Sequence, residues 1–249
     1  MEVIDGDEVR LERPRGLKRY PVPWDQVLAL TPHIWRGTRY SVQRFTEGIV
    51  AQLHPAPQIG GMSNLPESAR FVLAANHYQR KGLWILHPCA VITVALQRHY
   101  GLDDPPVRWV ATANWPRLRI GPVSVRSPGD WLLPRVAHAL ACYPVSFAGT
   151  NPELTARSYR ALLRESDRPL GLFPEGVRGT AASMADPIPG VERLLLLLAR
   201  RGWPVVPCRI CENEDRLQIR FGTVLQPADV LSAGNNAARL VMERIRTSA

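Results

Sequence analysis

The stretch that most constrains the fold is an apolar run, Phe71 to Ala75, that ends abruptly in the polar pair Asn76 and His77. The run does not alternate apolar and polar residues, so it predicts a strand buried on both faces of a sheet. The apolar segment from Leu83 to Leu96 predicts a core helix, because it is too short to cross a bilayer. Asn76 is predicted to cap that helix and His77 to lie in its first turn, where the helix dipole favours a neutral imidazole. The alternative is that Asn76 is only a cap and His77 an incidental polar neighbour.

A second strand-like run, Leu170 to Phe173, also ends in polar residues, with Pro174, Glu175, Gly176 and Arg178 following it. In open α/β sheets, ligands bind outside the carboxyl ends of the strands. If the two strand ends are neighbours, the cleft between them holds a base, a carboxylate and a guanidinium, and Gly176 lets substrate approach the backbone. The alternative is a simple surface turn in which Glu175 and Arg178 form an ion pair.

Strand-like and helix-like segments alternate along the chain, which predicts an α/β fold with a mixed, mostly parallel central sheet flanked by helices. Predicted strands lie at 71–75, 107–113, 143–147, 170–173, 205–210 and 217–224. Predicted helices lie at 83–96, 131–141, 153–165, 190–201 and 236–246. A loop rich in Pro, Gly and Arg is predicted at 114–130.

The N-terminal part of the chain has a different character. Residues 1–23 are charge-dense and rich in proline, which predicts a loosely held arm. From Trp24 to Leu53 an amphipathic helical pattern follows, in two pieces broken near Pro32. Its tryptophans and arginines fit a segment at a membrane interface, or a helix packed on the core with a solvated basic face. The Pro/Gly-rich stretch at 55–66 predicts a boundary between an N-terminal segment, 1–54, and an α/β domain, 55–249.

The charge of the chain favours anionic partners. The net charge is +9, and Lys18 and Lys81 are the only lysines beside many arginines. Such a balance suits an anionic membrane surface, an acidic carrier protein or a phosphorylated substrate. Nucleic acid is not predicted as a partner, because no recognisable nucleic-acid-binding module is present.

Cysteine usage and the N-terminus indicate the compartment. Cys208 and Cys211 form a C-x-x-C in a strand-like run, but no second cysteine or histidine pair completes a zinc site. These two, with Cys89 and Cys142, are predicted to be small buried residues in a reducing compartment. The first twenty residues lack an apolar core like that of a signal peptide. The expected location is cytoplasmic, either soluble or peripheral on the inner face of the membrane.

Several motifs occur in the order and spacing of a known family. Those that follow the two strands are Asn76-His77 and Phe173-Pro174-Glu175-Gly176-Val177-Arg178. The others are Gly61 to Pro66 before the first strand, Gly190 before a helix, Val205-Val206-Pro207, and Phe221 to Leu225. Across residues 60 to 226 the chain resembles the glycerophospholipid acyltransferase family, whose best-known members acylate lysophosphatidic acid.

The resemblance implies an O-acyltransferase of phospholipid biosynthesis in which His77 is the general base and no covalent acyl-enzyme forms. The donor would be acyl-CoA or acyl-carrier protein, and no metal or tightly bound cofactor is implied. Glu175, Gly176 and Arg178 would hold the acceptor, and Pro207 would line the acyl path. The full set of implied substrate-binding residues is Asn76, Arg80, Lys81, Phe173, Pro174, Glu175, Gly176, Arg178 and Pro207.

The chain departs from the family pattern at two positions. Gly82 stands where the family has the aspartate that orients the histidine, and Phe147 stands where it has an arginine assigned to the acceptor phosphate. An aromatic ring cannot make a bidentate phosphate contact, so the expected acceptor is a hydroxyl or amine of a lipid or polyol other than lysophosphatidic acid. The alternative function, favoured by Gly82, is a non-catalytic lipid-binding or scaffold protein on the same fold.

Arg80 and Lys81 lie between His77 and Gly82 and allow two interpretations. In the first turn of a helix the two cations would oppose the helix dipole, which makes sense if an anion binds nearby. Alternatively the helix begins only at Gly82 or Leu83, and both residues lie in an exposed loop.

Overall fold

The computed structural model describes residues 20–112, 118–120, 123–125, 129–146, 152–164, 167–176, 184–213 and 216–248. Phe147 and Arg178, two positions singled out by the motifs, lie outside these ranges.

The described residues form helices and strands that alternate as predicted. The helices are α1 (Trp24–Arg36), α2 (Val42–Ala51), α3 (Leu86–Tyr100), α4 (Gly129–Ala139), α5 (Pro152–Leu162), α6 (Val191–Ala199), α7 (Pro227–Ala233) and α8 (Ala237–Thr247). The strands are β1 (Gln58–Gly60), β2 (Val72–Ala75), β3 (Arg108–Thr112), β4 (Leu118–Ile120), β5 (Val123–Val125), β6 (Tyr143–Val145), β7 (Leu170–Leu172), β8 (Val205–Asn213) and β9 (Arg216–Phe221). The predicted α/β class is confirmed.

The central sheet has seven strands in the order β1-β9-β8-β2-β7-β3-β6. The strands from β8 to β6 are all parallel, whereas β9 is antiparallel to β8 and β1 runs parallel to β9. The predicted mixed, mostly parallel sheet is therefore correct. All four residues of β2 are buried between β8 and β7, as the apolar run before Asn76 predicted.

Two apolar cores cover the two faces of the sheet, and β2 contributes to both. Val72 and Ala74 belong to the core that contains residues of α6, α7 and α8. Leu73 and Ala75 belong to the core under α3. Because side chains alternate across a strand, a strand buried on both faces must be apolar throughout, which explains the unbroken run in the sequence.

The two N-terminal helices pack against α3 and α4 through a third, smaller core that includes Leu30, Phe45 and Ile49. The break predicted near Pro32 is wrong, because α1 continues through this proline to Arg36. A proline inside a helix removes one backbone hydrogen bond, and here the packed helix tolerates that loss. The helix ends instead at Gly37, whose φ of 65° is the left-handed conformation usual at a helix C-cap. The domain boundary between residues 54 and 55 stays a prediction.

Some elements escaped prediction because they are short. β1 lies in the predicted linker and β4 and β5 lie in the predicted loop, and each of these strands has three residues. Such lengths show no readable periodicity. The seven-residue helix α7 was also missed.

The end of the predicted loose arm belongs to the fold. Tyr20 is buried, and its backbone N–H donates to the Gly82 carbonyl oxygen over 2.8 Å. The four cysteines are free; Cys208 is buried and the other three are partly buried. None of the described helices is long and apolar enough to span a membrane.

Candidate active site

The two polar strand ends predicted from the sequence lie side by side. β2 and β7 are parallel neighbours, with Val72 opposite Leu170 and Ala74 opposite Leu172. The residues that follow both strands therefore meet at one edge of the sheet. There the backbone N–H of His77 donates to Oε1 of Glu175 over 2.8 Å.

Asn76 has a different structural role from the predicted one. Its side-chain nitrogen donates to the Ile210 carbonyl oxygen over 2.9 Å, and its side-chain oxygen accepts from the Ile210 N–H over 2.7 Å. The buried amide thus extends the pairing of β2 with β8 by one position. Because α3 begins only at Leu86, the predicted cap at Asn76 is wrong, and His77 does not lie in a helical turn.

A tight turn lies between His77 and α3. Arg80 and Leu83 exchange backbone hydrogen bonds of 3.3 and 3.0 Å, and Gly82 between them has a φ of 87°. Of the two interpretations of Arg80 and Lys81, the loop is therefore correct for the backbone, although the Arg80 side chain is not exposed in it. Lys81 is exposed.

Arg80 belongs to a buried polar cluster that the sequence did not predict. Its guanidinium binds both carboxylate oxygens of Glu212, a residue whose side chain is 3% exposed. The Tyr78 hydroxyl donates to the same carboxylate over 2.7 Å, and the Tyr20 ring lies 5.8 Å from the guanidinium. Burial raises the pKa of Tyr78, and Glu212 raises it further, so the phenol stays a donor. The cluster ties the turn after β2 to the C-terminal end of β8. That Arg80 contacts a substrate remains a prediction.

The His77 imidazole packs against an aromatic column. Its ring meets Phe173 edge-on, with centroids 5.1 Å apart. Phe173 in turn stacks on Trp109 at 5.1 Å and an interplanar angle of 11°, and the Trp109 indole N–H donates to the Thr93 hydroxyl. Gly171 makes room for this stack, since a Cβ there would come within 2.3 Å of the Trp109 ring.

Glu175 is buried with no exposed surface, so the alternative of a surface turn does not hold for it. Its Oε2 accepts the backbone N–H of Ala185 over 2.7 Å, and its Oε1 accepts that of His77. Burial raises the pKa of the Glu175 carboxyl above its ordinary value, while these two donors and the charge of Arg246 act in the opposite direction. The carboxylate thus holds the turn after β2 against the segment that leads to α6.

The rest of the turn after β7 is shaped around Glu175. The Pro174 carbonyl oxygen accepts the Ile188 N–H over 2.9 Å. Gly176 has a φ of 59°, and a Cβ there would lie 2.7 Å from the Ile188 side chain. Only glycine fits both the conformation and the space, so the turn offers backbone atoms and no side chain at this position. Pro207 lies on β8 directly opposite Ala74 of β2, which places it one strand away on the same sheet.

The sequence motifs did not identify two residues of this site, Glu212 and Trp109. Glu212 lies at the carboxyl end of β8, a position where ligands and functional groups gather in α/β sheets. The predicted strand ended at Ile210, three residues before the observed end at Asn213, and so left Glu212 out. Nothing in the sequence distinguishes Trp109 from an ordinary core tryptophan.

Comparison with known proteins gives a solved structure of similar fold. No family model matches the chain, and no curated protein matches it. The crystal structure of the 1-acyl-sn-glycerophosphate (LPA) acyltransferase PlsC from Thermotoga maritima matches with a TM-score of 0.52. The chain resembles an acyltransferase in fold. The match covers 89% of this chain and 80% of that one at 14% sequence identity. The resemblance deduced from the motifs is thus confirmed at the level of the fold.

Proposed function

We propose that this protein is an acyltransferase that moves a fatty acyl group from a thioester donor to a hydroxyl or amine of a lipid or polyol acceptor. The donor is acyl-CoA or acyl-carrier protein, and the reaction needs no metal or cofactor. The observation that carries the proposal is the hydrogen bond between His77 and Glu175 at two adjacent strand ends. These strand ends belong to a fold similar to that of PlsC. An imidazole at such a site is suited to act as a base near neutral pH.

In this mechanism His77 accepts the proton of the acceptor hydroxyl as its oxygen attacks the thioester carbonyl carbon. A carbon–oxygen bond forms, the carbon–sulfur bond breaks, and the leaving thiolate takes the proton from the imidazolium. The backbone at Gly176, together with Arg178, holds the acceptor, and Pro207 lines the acyl path. Glu175 acts as a positioning residue, because its carboxylate is bonded to the His77 backbone and not aimed at a reacting atom.

The aromatic column replaces the missing family aspartate in orienting the histidine. Edge-on contact with Phe173 restricts rotation of the imidazole, and the stack on Trp109 restricts Phe173 in turn. Aromatic pairs in these geometries stabilise each other by about 0.5–1.5 kcal/mol beyond their buried area. This is enough to favour one orientation of the imidazole ring.

Restoring the family residue at position 82 is expected not to help. Gly82→Asp should leave the rate of acyl transfer no higher than that of the wild type. It should also lower the free energy of unfolding by about 1 kcal/mol, because a residue with a Cβ resists the left-handed conformation. The checks are kcat and a urea titration. Gly82→Ala is the matched control, with the same backbone strain and no carboxylate. A higher kcat in Gly82→Asp than in Gly82→Ala would contradict the role given to the column.

An anionic membrane surface is the proposed location of the acceptor. Five large apolar side chains, from α1 and the start of α4, are exposed: Trp24, Leu28, Trp35, Trp131 and Leu132. The Trp35 and Trp131 rings lie 5.0 Å apart, so the two helices share one apolar patch. Tryptophan with nearby arginine is typical of segments that lie in the membrane interface.

The double variant Trp35→Ser/Trp131→Ser is expected to lower the partition coefficient onto anionic vesicles about tenfold, because two indole rings no longer enter the interface. Co-sedimentation with phosphatidylglycerol-containing vesicles measures it. Leu231→Ser, at an exposed leucine on α7, is the control. Equal binding by wild type and the double variant would refute the proposed surface.

The experiment that tests the proposed function is an acyl-transfer screen read by mass spectrometry. Purified protein is offered acyl-CoA and acyl-carrier protein with mixed lipid and polyol acceptors, including lysophosphatidic acid. We expect an acylated product on an acceptor other than lysophosphatidic acid. Binding of lipid without consumption of any donor would instead support the alternative of a non-catalytic lipid-binding or scaffold protein.

A further inference from the structure

A cleft of about 510 Å³ lies between the end of β9 and the last turn of α8. We call it the arginine cleft. Its lining includes Pro207, Arg220, Gly222, Thr223, Arg244 and Ser248. Gly222 lets the two elements close on each other, since a Cβ there would lie 2.1 Å from the Ser248 hydroxyl. The result is a concave site walled by two guanidinium groups.

The positive charge at this cleft is concentrated. Arg220 stands directly opposite Arg209 in the β8–β9 pair, an arrangement that destabilises antiparallel strands. The Arg209 guanidinium donates to the Arg246 carbonyl oxygen at the end of α8. No described carboxylate forms an ion pair with Arg220 or Arg244. Two arginine side chains at the cleft thus keep their donors available.

Two residues, Pro207 and Arg246, relate the arginine cleft to the proposed acyl-transfer site. Pro207 lines it and also pairs with Ala74 of β2, the strand that leads to His77. Burial raises the pKa of Glu175, and the charge of Arg246, two residues after Arg244 on α8, is among the influences that oppose this rise. A phosphate in the cleft would therefore lie on the α8 face of the sheet and would be part of the same substrate that reaches His77.

We propose that the arginine cleft binds a phosphate group of a substrate through Arg220 and Arg244. Guanidinium forks match phosphate oxygens bidentately, and a bound dianion would offset the repulsion between Arg209 and Arg220. Two substrates carry this chemistry: the nucleotide end of a CoA thioester and the headgroup of a phosphorylated acceptor. That the phosphate belongs to a substrate of acyl transfer rests on the function proposed above; phosphate binding itself does not.

Calorimetric titration of the full chain tests the proposal. The probes are 3′,5′-ADP, CoA, glycerol 3-phosphate and inorganic phosphate. Arg220→Gln/Arg244→Gln should weaken the probe that binds wild type best by at least about tenfold, the effect of losing charged hydrogen bonds. Arg239→Gln, which removes a charge from an exposed position on α8, is the matched control and should bind like wild type. Thermal unfolding verifies that all variants are folded.

The outcomes separate this inference from the proposed function. Loss of 3′,5′-ADP and CoA binding supports a donor phosphate, and loss of glycerol 3-phosphate binding alone supports an acceptor phosphate. If His77→Ala binds the probes normally and no protein transfers an acyl group, the proposed acyltransferase activity is refuted and phosphate binding in the cleft is not. The inference is overturned if wild type binds no probe at millimolar concentration, or if Arg239→Gln weakens binding as much as the double variant.

Discussion

Replacing His77 by alanine is expected to lower kcat for acyl transfer by about 10²–10⁴-fold, the range usual for loss of a general base. The acceptor hydroxyl is a poor nucleophile until its proton is removed, and the imidazole at the end of β2 is the base proposed to remove it. The KM for the thioester should change little, because the donor does not depend on this base for binding. Steady-state kinetics with the acceptor found in the screen measures both constants.

Two comparisons make the His77 result specific. His99→Ala removes an exposed histidine at the far end of α3 and should retain the kcat of the wild type. The thermal unfolding curve of His77→Ala should show a single cooperative transition, so that lost activity is not lost folding. A kcat within threefold of wild type in a folded His77→Ala variant would remove His77 from the mechanism.

Glu175→Ala is expected to have the second largest effect, on stability as well as on activity. The variant leaves the partly buried backbone N–H groups of His77 and Ala185 without their carboxylate acceptor. Each unsatisfied buried donor costs about 1–3 kcal/mol. Because one of these donors belongs to His77, the base is also released from its position, and kcat should fall even at temperatures where the variant is folded. Urea titration and kinetics on the same preparation measure the two effects.

The conservative variant separates the positioning role from a merely structural one. Glu175→Gln retains one acceptor oxygen but turns an NH₂ group toward the other donor, so its stability should lie between those of wild type and Glu175→Ala. Its kcat should likewise lie between those of wild type and Glu175→Ala. Glu67→Ala, which removes an exposed carboxylate from a loop, should match the wild type in both measurements. A Glu175→Ala variant as stable and active as Glu67→Ala would show that the two hydrogen bonds are unimportant.

The sequence predicted the sheet and the two polar strand ends because both depend on patterns that burial imposes. β2 and β7 are short apolar runs with polar termini, and parallel neighbours bring those termini together. The α/β class and most helices were predicted from the alternation of strand-like and helix-like segments along the chain. Glu175 was identified by position, although its burial and its bonds to backbone N–H groups were not.

What escaped prediction depends on contacts between residues far apart in the chain. Asn76 precedes an apolar segment as a helix cap would, yet its amide binds Ile210, 134 positions away, and α3 begins later. For Arg80 the sequence left open a nearby anion or an exposed loop, and its guanidinium instead binds Glu212 on another strand. A local pattern shows that a polar group needs a partner, but it does not show which distant residue supplies that partner.

The most direct test of the central claim compares acylated product formed by wild type and by His77→Ala, with His99→Ala alongside, in one mass-spectrometric assay. We expect product from wild type and His99→Ala and a loss of at least about a hundredfold in His77→Ala. Equal product from all three proteins would contradict His77 as the base. Lipid binding by all three, with no donor consumed by any, would contradict acyl transfer itself and indicate a binding protein on an acyltransferase fold.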